Sequence, residues 1–162
     1  MKRAAPGVFC GAPIIFVQRL EGWRMVSAKV VKNPMETPIS TRYILHICTR
    51  ETIRPLRDQV LRLSGFQVDS TLDHAQGLSM FEARQYDLVL IDVEGEEGIP
   101  RAERMCSEIK TAQHQQLVAF VCNWRIAILT DCPDEIVRTE FDPAAFAKGV
   151  SEIIPLPETN SN

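Results

Sequence analysis

Asp87-Leu88-Val89-Leu90-Ile91-Asp92 is the stretch whose reading decides the fold. Four consecutive apolar residues leave no polar face, so the run reads as a strand buried on both sides. Strands of that kind belong to parallel sheets with helices packed on either face. An acid closes the run at its carboxyl end, which is where open α/β sheets place their sites.

The same alternation extends in both directions. Tyr43-Ile44-Leu45-His46-Ile47-Cys48 is a mostly apolar run suited to a first parallel strand. A helix follows with apolar residues at Ile53, Leu56, Val60 and Leu63, and Pro55 is tolerated because it lies in the first turn. Gly65 ends that helix as a C′ glycine. Phe66-Gln67-Val68-Asp69 alternates as a short second strand, and Asp73-His74-Ala75-Gln76 opens a second helix in the manner of a capping box. After the decisive strand, Pro100 fits the first turn of a third helix whose buried stripe is Ala102, Met105, Cys106 and Ile109. Leu117 to Cys122 is a fourth strand and Ile136-Val137 a minimal fifth. Asp142-Pro143 caps a last helix through Phe146, Val150 and Ile153. Strands alternating with helices predict a parallel sheet covered on both faces, limited in topology by right-handed crossovers.

The regular pattern occupies residues 41–154. Residues 155–162 read as a polar tail. Residues 1–40 carry scattered prolines and no sustained period, as expected of a disordered extension or a start codon assigned too far upstream, with Met25 or Met35 as the true first residue. Net charge divides along the same line: residues 1–35 sum to +5 and the remainder to −8. An acidic body of this kind offers no basic face for nucleic acid. No apolar run approaches the roughly 20 residues of a membrane span, and the short stretch from Val8 to Val17 lacks a cleavage site. The expectation is a cytoplasmic protein bound neither to membrane nor to DNA. Five cysteines without paired spacing are expected to be reduced and to act as small apolar residues, not as a disulfide framework or zinc knuckle.

In order and spacing these elements resemble a bacterial response-regulator receiver domain. The resemblance rests on Gly65-Phe66-Gln67-Val68 through Tyr86-Asp87-Leu88-Val89-Leu90-Ile91-Asp92, on Asp134-Glu135-Ile136-Val137, on Phe141-Asp142-Pro143, and on the interval from Asp92 to Cys122. It implies a flavodoxin-like, doubly wound, five-stranded parallel sheet in the order 2-1-3-4-5. It also implies that Asp92 occupies the position of the phosphorylated aspartate. Phosphoryl transfer there needs a carboxylate nucleophile, Mg²⁺ held by hard oxygen ligands, and donors for the moving oxygens. The rest of that pocket is degenerate. The family's acidic pair is Cys48-Thr49, its strand 4 hydroxyl is Cys122, and its lysine is Thr139, with Arg138 beside it on the opposite face. The switch aromatic is Ile136. Asp92 is therefore expected to be a carboxylate facing solvent, with Glu94, Glu96 and Glu97 crowding the loop beyond it. The interval after strand 4 is shorter than in receivers, so the helix between strands 4 and 5 should be shortened, displaced or lost. Trp124 stands at the start of that rebuilt segment and, with Ile136, marks a candidate partner surface. The commoner fate of such a tryptophan is to pack over the sheet edge.

Three functions follow as expectations. The first is a stand-alone, non-enzymatic pseudo-receiver in a two-component pathway or phosphorelay. It binds a histidine kinase, a downstream regulator or itself, without phosphorylation and without a cofactor or metal. The second is an atypical regulator phosphorylated on Asp92, which alone requires Mg²⁺. The third is a redox or soft-metal sensor using Cys48 and Cys122, with His46 facing the same side as Cys48. Two strand spacings put those thiols about 9–10 Å apart, beyond disulfide reach without backbone movement.

Overall fold

The structure, a computed structural model, describes residues 41–140 and 142–157. The readings made for residues 1–40, for Phe141 and for the end of the tail lie outside the described residues. The elements are β1 (Tyr43–Ile47), α1 (Arg54–Leu63), β2 (Gln67–Thr71), α2 (His74–Ala83), β3 (Leu88–Asp92), a 3₁₀ turn (Glu96–Gly98), α3 (Ile99–Ala112), β4 (Val118–Cys122), β5 (Glu135–Arg138) and α4 (Pro143–Ile153). The strands form one parallel sheet in the order β2-β1-β3-β4-β5. This is the expected topology.

Local chemistry sets the boundaries. Gly65 takes φ +96°, a left-handed conformation that costs other residues energy, and stands just past the C-cap of α1. The Phe66 N–H reaches the Leu61 carbonyl at 3.1 Å and the Gly65 N–H the Arg62 carbonyl at 3.0 Å, closing a Schellman motif. The Asp73 side chain accepts from the Gln76 N–H at 2.9 Å and caps α2. Asp142 accepts from the N–H groups of Ala144 and Ala145, with Pro143 in the first turn of α4.

The sheet divides the core in two. Leu45, Ile47, Val89, Ile91 and Phe120 pack against Phe81 of α2 and against Met105 and Ile109 of α3. Ile44, Leu88, Leu90, Ala119 and Val121 pack against Leu61 of α1 and against Phe146 and Val150 of α4. Each large apolar side chain buried this way contributes roughly 1.5–3 kcal/mol. The α3 stripe of Ala102, Met105, Cys106 and Ile109 is buried as expected. α2 comes so close to β1 that a Cβ on Gly77 would meet Ile47 and Met105 at 2.9 Å.

Two expectations fail. The inward face of α1 is only in part Ile53, Leu56, Val60 and Leu63: Ile53 and Val60 are half-buried, Val60 against the core. Leu56 and Leu63 are 61% and 80% exposed, whereas Arg57, Asp58 and Leu61 are buried. The helix is rotated because the sheet beneath it carries polar partners for Arg57 and Asp58, and buried charge is tolerated only when paired. The cysteines are not all free: Cys106 of α3 and Cys132 are joined in a disulfide, Cα to Cα 6.2 Å. Their separation of 26 residues leaves no local spacing to read. Cys48 and Cys122 are free and buried.

No helix lies between β4 and β5. An irregular segment over residues 123–134 takes its place. Besides the disulfide, it is anchored by Ile126 in the core, and Asp134 at its end holds Lys110 Nζ at 2.6 Å and the Val118 N–H at 2.8 Å. No helix among the described residues is long and apolar enough to cross a membrane.

Candidate functional site

Strand order reverses between β1 and β3, and the carboxyl ends of these strands form the crevice in which doubly wound sheets place their sites. Asp92 ends β3 at that point. It does not face solvent, as the sequence suggested; only 5% of it is exposed. Arg57 of α1 donates from Nη1 to Asp92 Oδ1, and both side chains are buried. Arg50, in the loop after β1, approaches Oδ2 from Nη2 at 3.4 Å. The Arg57 guanidinium also lies over the Phe146 ring of α4, 5.3 Å from its centroid. Asp92 is thus paired with the buried Arg57, with the partly exposed Arg50 close by.

A second polar group lies beside this pair on the same face. His46 in β1 is fully buried, and its Nδ1 is 2.6 Å from Asp58 Oδ1. An ionised carboxylate only accepts, so Nδ1 carries the hydrogen. Ser70 in β2 donates to Asp58 Oδ2 at 2.5 Å, and Arg54 Nη1 donates to Ser70 Oγ at 2.9 Å. Burial works to raise the Asp58 carboxyl, but the hydrogen bonds from His46 and Ser70 outweigh it and hold the group below the usual carboxylate range. His46 Nε2 has no hydrogen-bond partner.

The remaining pocket positions fall as follows. Cys48, immediately after β1, is buried, and its thiol is pushed up to about 12, first by burial and then by the nearby Asp92 charge. Thr49 donates to Glu94 Oε2 at 3.3 Å. Both line, with Asp92, His74, Glu97 and Arg101, a cavity of about 210 Å³ at the sheet's edge. Cys122 is buried at the end of β4, and burial raises its thiol too. Thr139 is buried after β5, its N–H bonded to the Cys122 carbonyl at 2.9 Å. Arg138 donates to the Ile126 carbonyl at 2.8 Å and so braces the irregular segment. Asp92 shares its cavity with Thr49, Glu94 and Glu97, but its own carboxylate is paired with Arg57 and Arg50, and the position after β1 offers Cys48 where Mg²⁺ would want an oxygen ligand.

Trp124 is 65% exposed, not packed over the sheet edge. With Ile136, Arg138, Lys148 and Glu152 it lines a groove of about 530 Å³ between β5 and α4. Ile136 is half-buried and packs on the α2–α3 side of the core.

Sequence reasoning placed Asp92, Cys48, Thr49, Cys122 and Thr139 at strand ends but missed Arg57, Asp58 and Arg50. The signal was present. A histidine inside an apolar strand, followed by Arg54, Arg57, Asp58 and Leu61 at helical spacing, marks a polar face turned inward.

No protein-family model matches the sequence, and no curated protein matches it. Solved structures do match. The response regulator TrrA of Thermotoga maritima, in complex with Mg²⁺-BeF, is 22% identical over 70% of this chain and 100% of its own, with TM-score 0.60. The same regulator bound to the histidine kinase ThkA gives TM-score 0.59 at 22% identity, covering 70% of this chain and 99% of that one. A CheY-like receiver domain from Methylobacillus flagellatus gives 0.59 at 16% identity, covering 70% and 99%. The described residues have the fold of response-regulator receiver domains.

Proposed function

We propose that this chain is a pseudo-receiver: a non-catalytic module of two-component signalling that binds a partner protein without being phosphorylated. The observation that carries this reading is the buried ion pair between Arg57 and Asp92. A working receiver needs its aspartate open to a phosphodonor and flanked by metal ligands; here arginine occupies the carboxylate, and Cys48-Thr49 stands where the acidic pair would follow β1. The binding partner in this reading is a histidine kinase or a downstream regulator. A neighbour of the same fold is bound to a histidine kinase, which supports that class. The groove beside β5, with exposed Trp124 at its edge, is the surface best placed for such a contact.

Incubation with Mg²⁺ and a small-molecule phosphodonor, read by intact mass, tests the proposal. The expected result is no adduct, under conditions that modify an ordinary receiver. An acid-labile adduct that disappears in Asp92→Asn would overturn it and make Asp92 a phosphoacceptor.

A further inference from the structure

We infer that His46, Cys48 and Asp92 form a binding site for a borderline-soft divalent cation of the Zn²⁺ class. The inference goes beyond the pseudo-receiver reading and stands whether or not that reading holds.

A ring nitrogen of His46, the Cys48 sulfur and an Asp92 carboxylate oxygen all lie within 4.8 Å of one another, and all three residues are buried. Ligands sharing one ion at bonds of about 2.0–2.3 Å stand about 3.3–3.8 Å apart, so closing around an ion asks the three side chains to move inward by up to about an ångström. The three residues come from two neighbouring strands, β1 and its end and the end of β3, so the sheet holds them in place.

His46 supplies the strongest indication. Its Nδ1 is committed to Asp58 at 2.6 Å, which fixes the ring and leaves Nε2 as the nitrogen free to coordinate. Nε2 is buried and without a partner. An unsatisfied buried polar atom costs free energy, and with Nδ1 carrying the hydrogen the Nε2 lone pair is one that a cation would satisfy. A carboxylate behind a histidine is also the usual support for a metal-bound imidazole. Asp58 is itself held by the Ser70 hydroxyl at 2.5 Å, so that support is fixed.

Donor chemistry selects the metal. One thiolate and one imidazole favour Zn²⁺ or Co²⁺ and give Mg²⁺ little to bind. On binding, the Cys48 S–H bond breaks, its proton goes to solvent, and sulfur bonds the metal. Charge then balances locally. The divalent ion and Arg57 supply three positive charges, and the Cys48 thiolate, Asp92 and Asp58 supply three negative ones. Arg57 stays on Asp92 Oδ1, and the ion takes Oδ2, where Arg50 makes only a long contact of 3.4 Å. Arg50 and Arg54 have side chains 30% exposed and can turn to solvent. Of the three ligands Asp92 also lines the cavity of about 210 Å³ that holds Thr49 and Glu94, the nearest route from solvent to its carboxylate that the structure describes.

The test uses the full chain, stripped with chelator and titrated with Co²⁺. One equivalent should give a near-ultraviolet thiolate-to-cobalt charge-transfer band that Zn²⁺ abolishes and excess Mg²⁺ leaves unchanged. Cys48→Ala should remove the band and Cys122→Ala should keep it, with circular dichroism checking the fold of both. Asp58→Asn, a change behind the ligand, should weaken Zn²⁺ affinity by roughly 10–100-fold. X-ray absorption on the Co²⁺-loaded wild type needs no variant and should fit one sulfur and one imidazole. A folded wild type without the band, a band that survives Cys48→Ala, or a fit with two sulfurs would overturn the inference.

Discussion

Replacing Arg57 by methionine should destabilise the protein by about 3 kcal/mol, because it leaves a charge buried without its partner. Arg57 and Asp92 are 8% and 5% exposed, so water screens their interaction little. Breaking a buried pair by removing one member costs about 3–5 kcal/mol. The lower end applies here because Arg50 remains 3.4 Å from Asp92 and retains part of the compensation. Methionine keeps much of the packing on Phe146, so the loss is mainly electrostatic. With a urea slope of about 1–3 kcal/mol per molar for a small protein, the midpoint should fall by about 1–3 M. Asp92→Asn should cost a similar amount by stranding the arginine. The double variant should cost far less than the sum of the two, with a coupling energy of at least about 2 kcal/mol. The measurement is equilibrium urea unfolding of the wild type, both single variants and the double at neutral pH. Single losses under about 1 kcal/mol, or additivity within about 0.5 kcal/mol, would show that Arg57 does not hold Asp92.

Two further expectations concern the buried carboxylate and the disulfide. Hydrogen bonds hold Asp58 below the usual carboxylate range in the folded state, so the unfolded chain takes up that proton first as pH falls. Its stabilisation is complete above an unfolded value of about 3.9 and is lost as pH drops through the depressed folded one. Asp58→Asn should be less stable at neutral pH yet show a shallower loss below about pH 4, both read from urea midpoints across pH. The Cys106–Cys132 bridge spans 26 residues, and closing such a loop stabilises by about 3.5 kcal/mol in the chain-entropy account. Cys132→Ser should lower stability by up to that amount and raise amide exchange over residues 123–134; unchanged exchange there would mean that the core contacts of Ile126 suffice.

The elements that could be read from sequence are those whose burial is apolar and whose ends carry their own signals. β3 declared itself through four apolar residues in a row, α3 through a stripe at Ala102, Met105, Cys106 and Ile109, and α2 and α4 through capping aspartates. The inward face of α1 was read rotated from where it lies, with Val60 packed but Leu56 and Leu63 exposed, because its apolar residues are genuinely periodic. Periodicity reports the face a helix would bury against an apolar sheet, and this sheet presents His46, Ser70 and Asp92. The position of Asp92 was legible, but its surroundings were not. Its partners lie 35 and 42 residues away in the chain and meet it only once α1 docks. The disulfide was hidden for a related reason. It needs residue 132 to fall against α3, which follows from the loss of a helix between β4 and β5.

The substitutions at the two ends of the domain bear on each other. In a receiver that responds to phosphorylation, a change at the β3 carboxylate must reach the β4–β5 side through groups free to move. Here the groups on that path are committed. Arg57 is fixed between Asp92 and Phe146, Thr139 is buried after β5, and Ile136 is packed on the core with no aromatic ring to turn. Arg138 is tied to the Ile126 carbonyl, and the segment beyond it is clamped to α3. A coupling free energy requires two arrangements that a ligand can choose between; on the pseudo-receiver reading proposed above, these contacts hold one. An occupant of the Asp92 pocket can therefore act on the β5 groove only by displacing a contact that stabilises the fold. Arg50, long and partly exposed, is the member of the set that yields first. A metal ion on Oδ2 would exploit that weakness without disturbing Arg57, adding stability while leaving the β5 surface as it is.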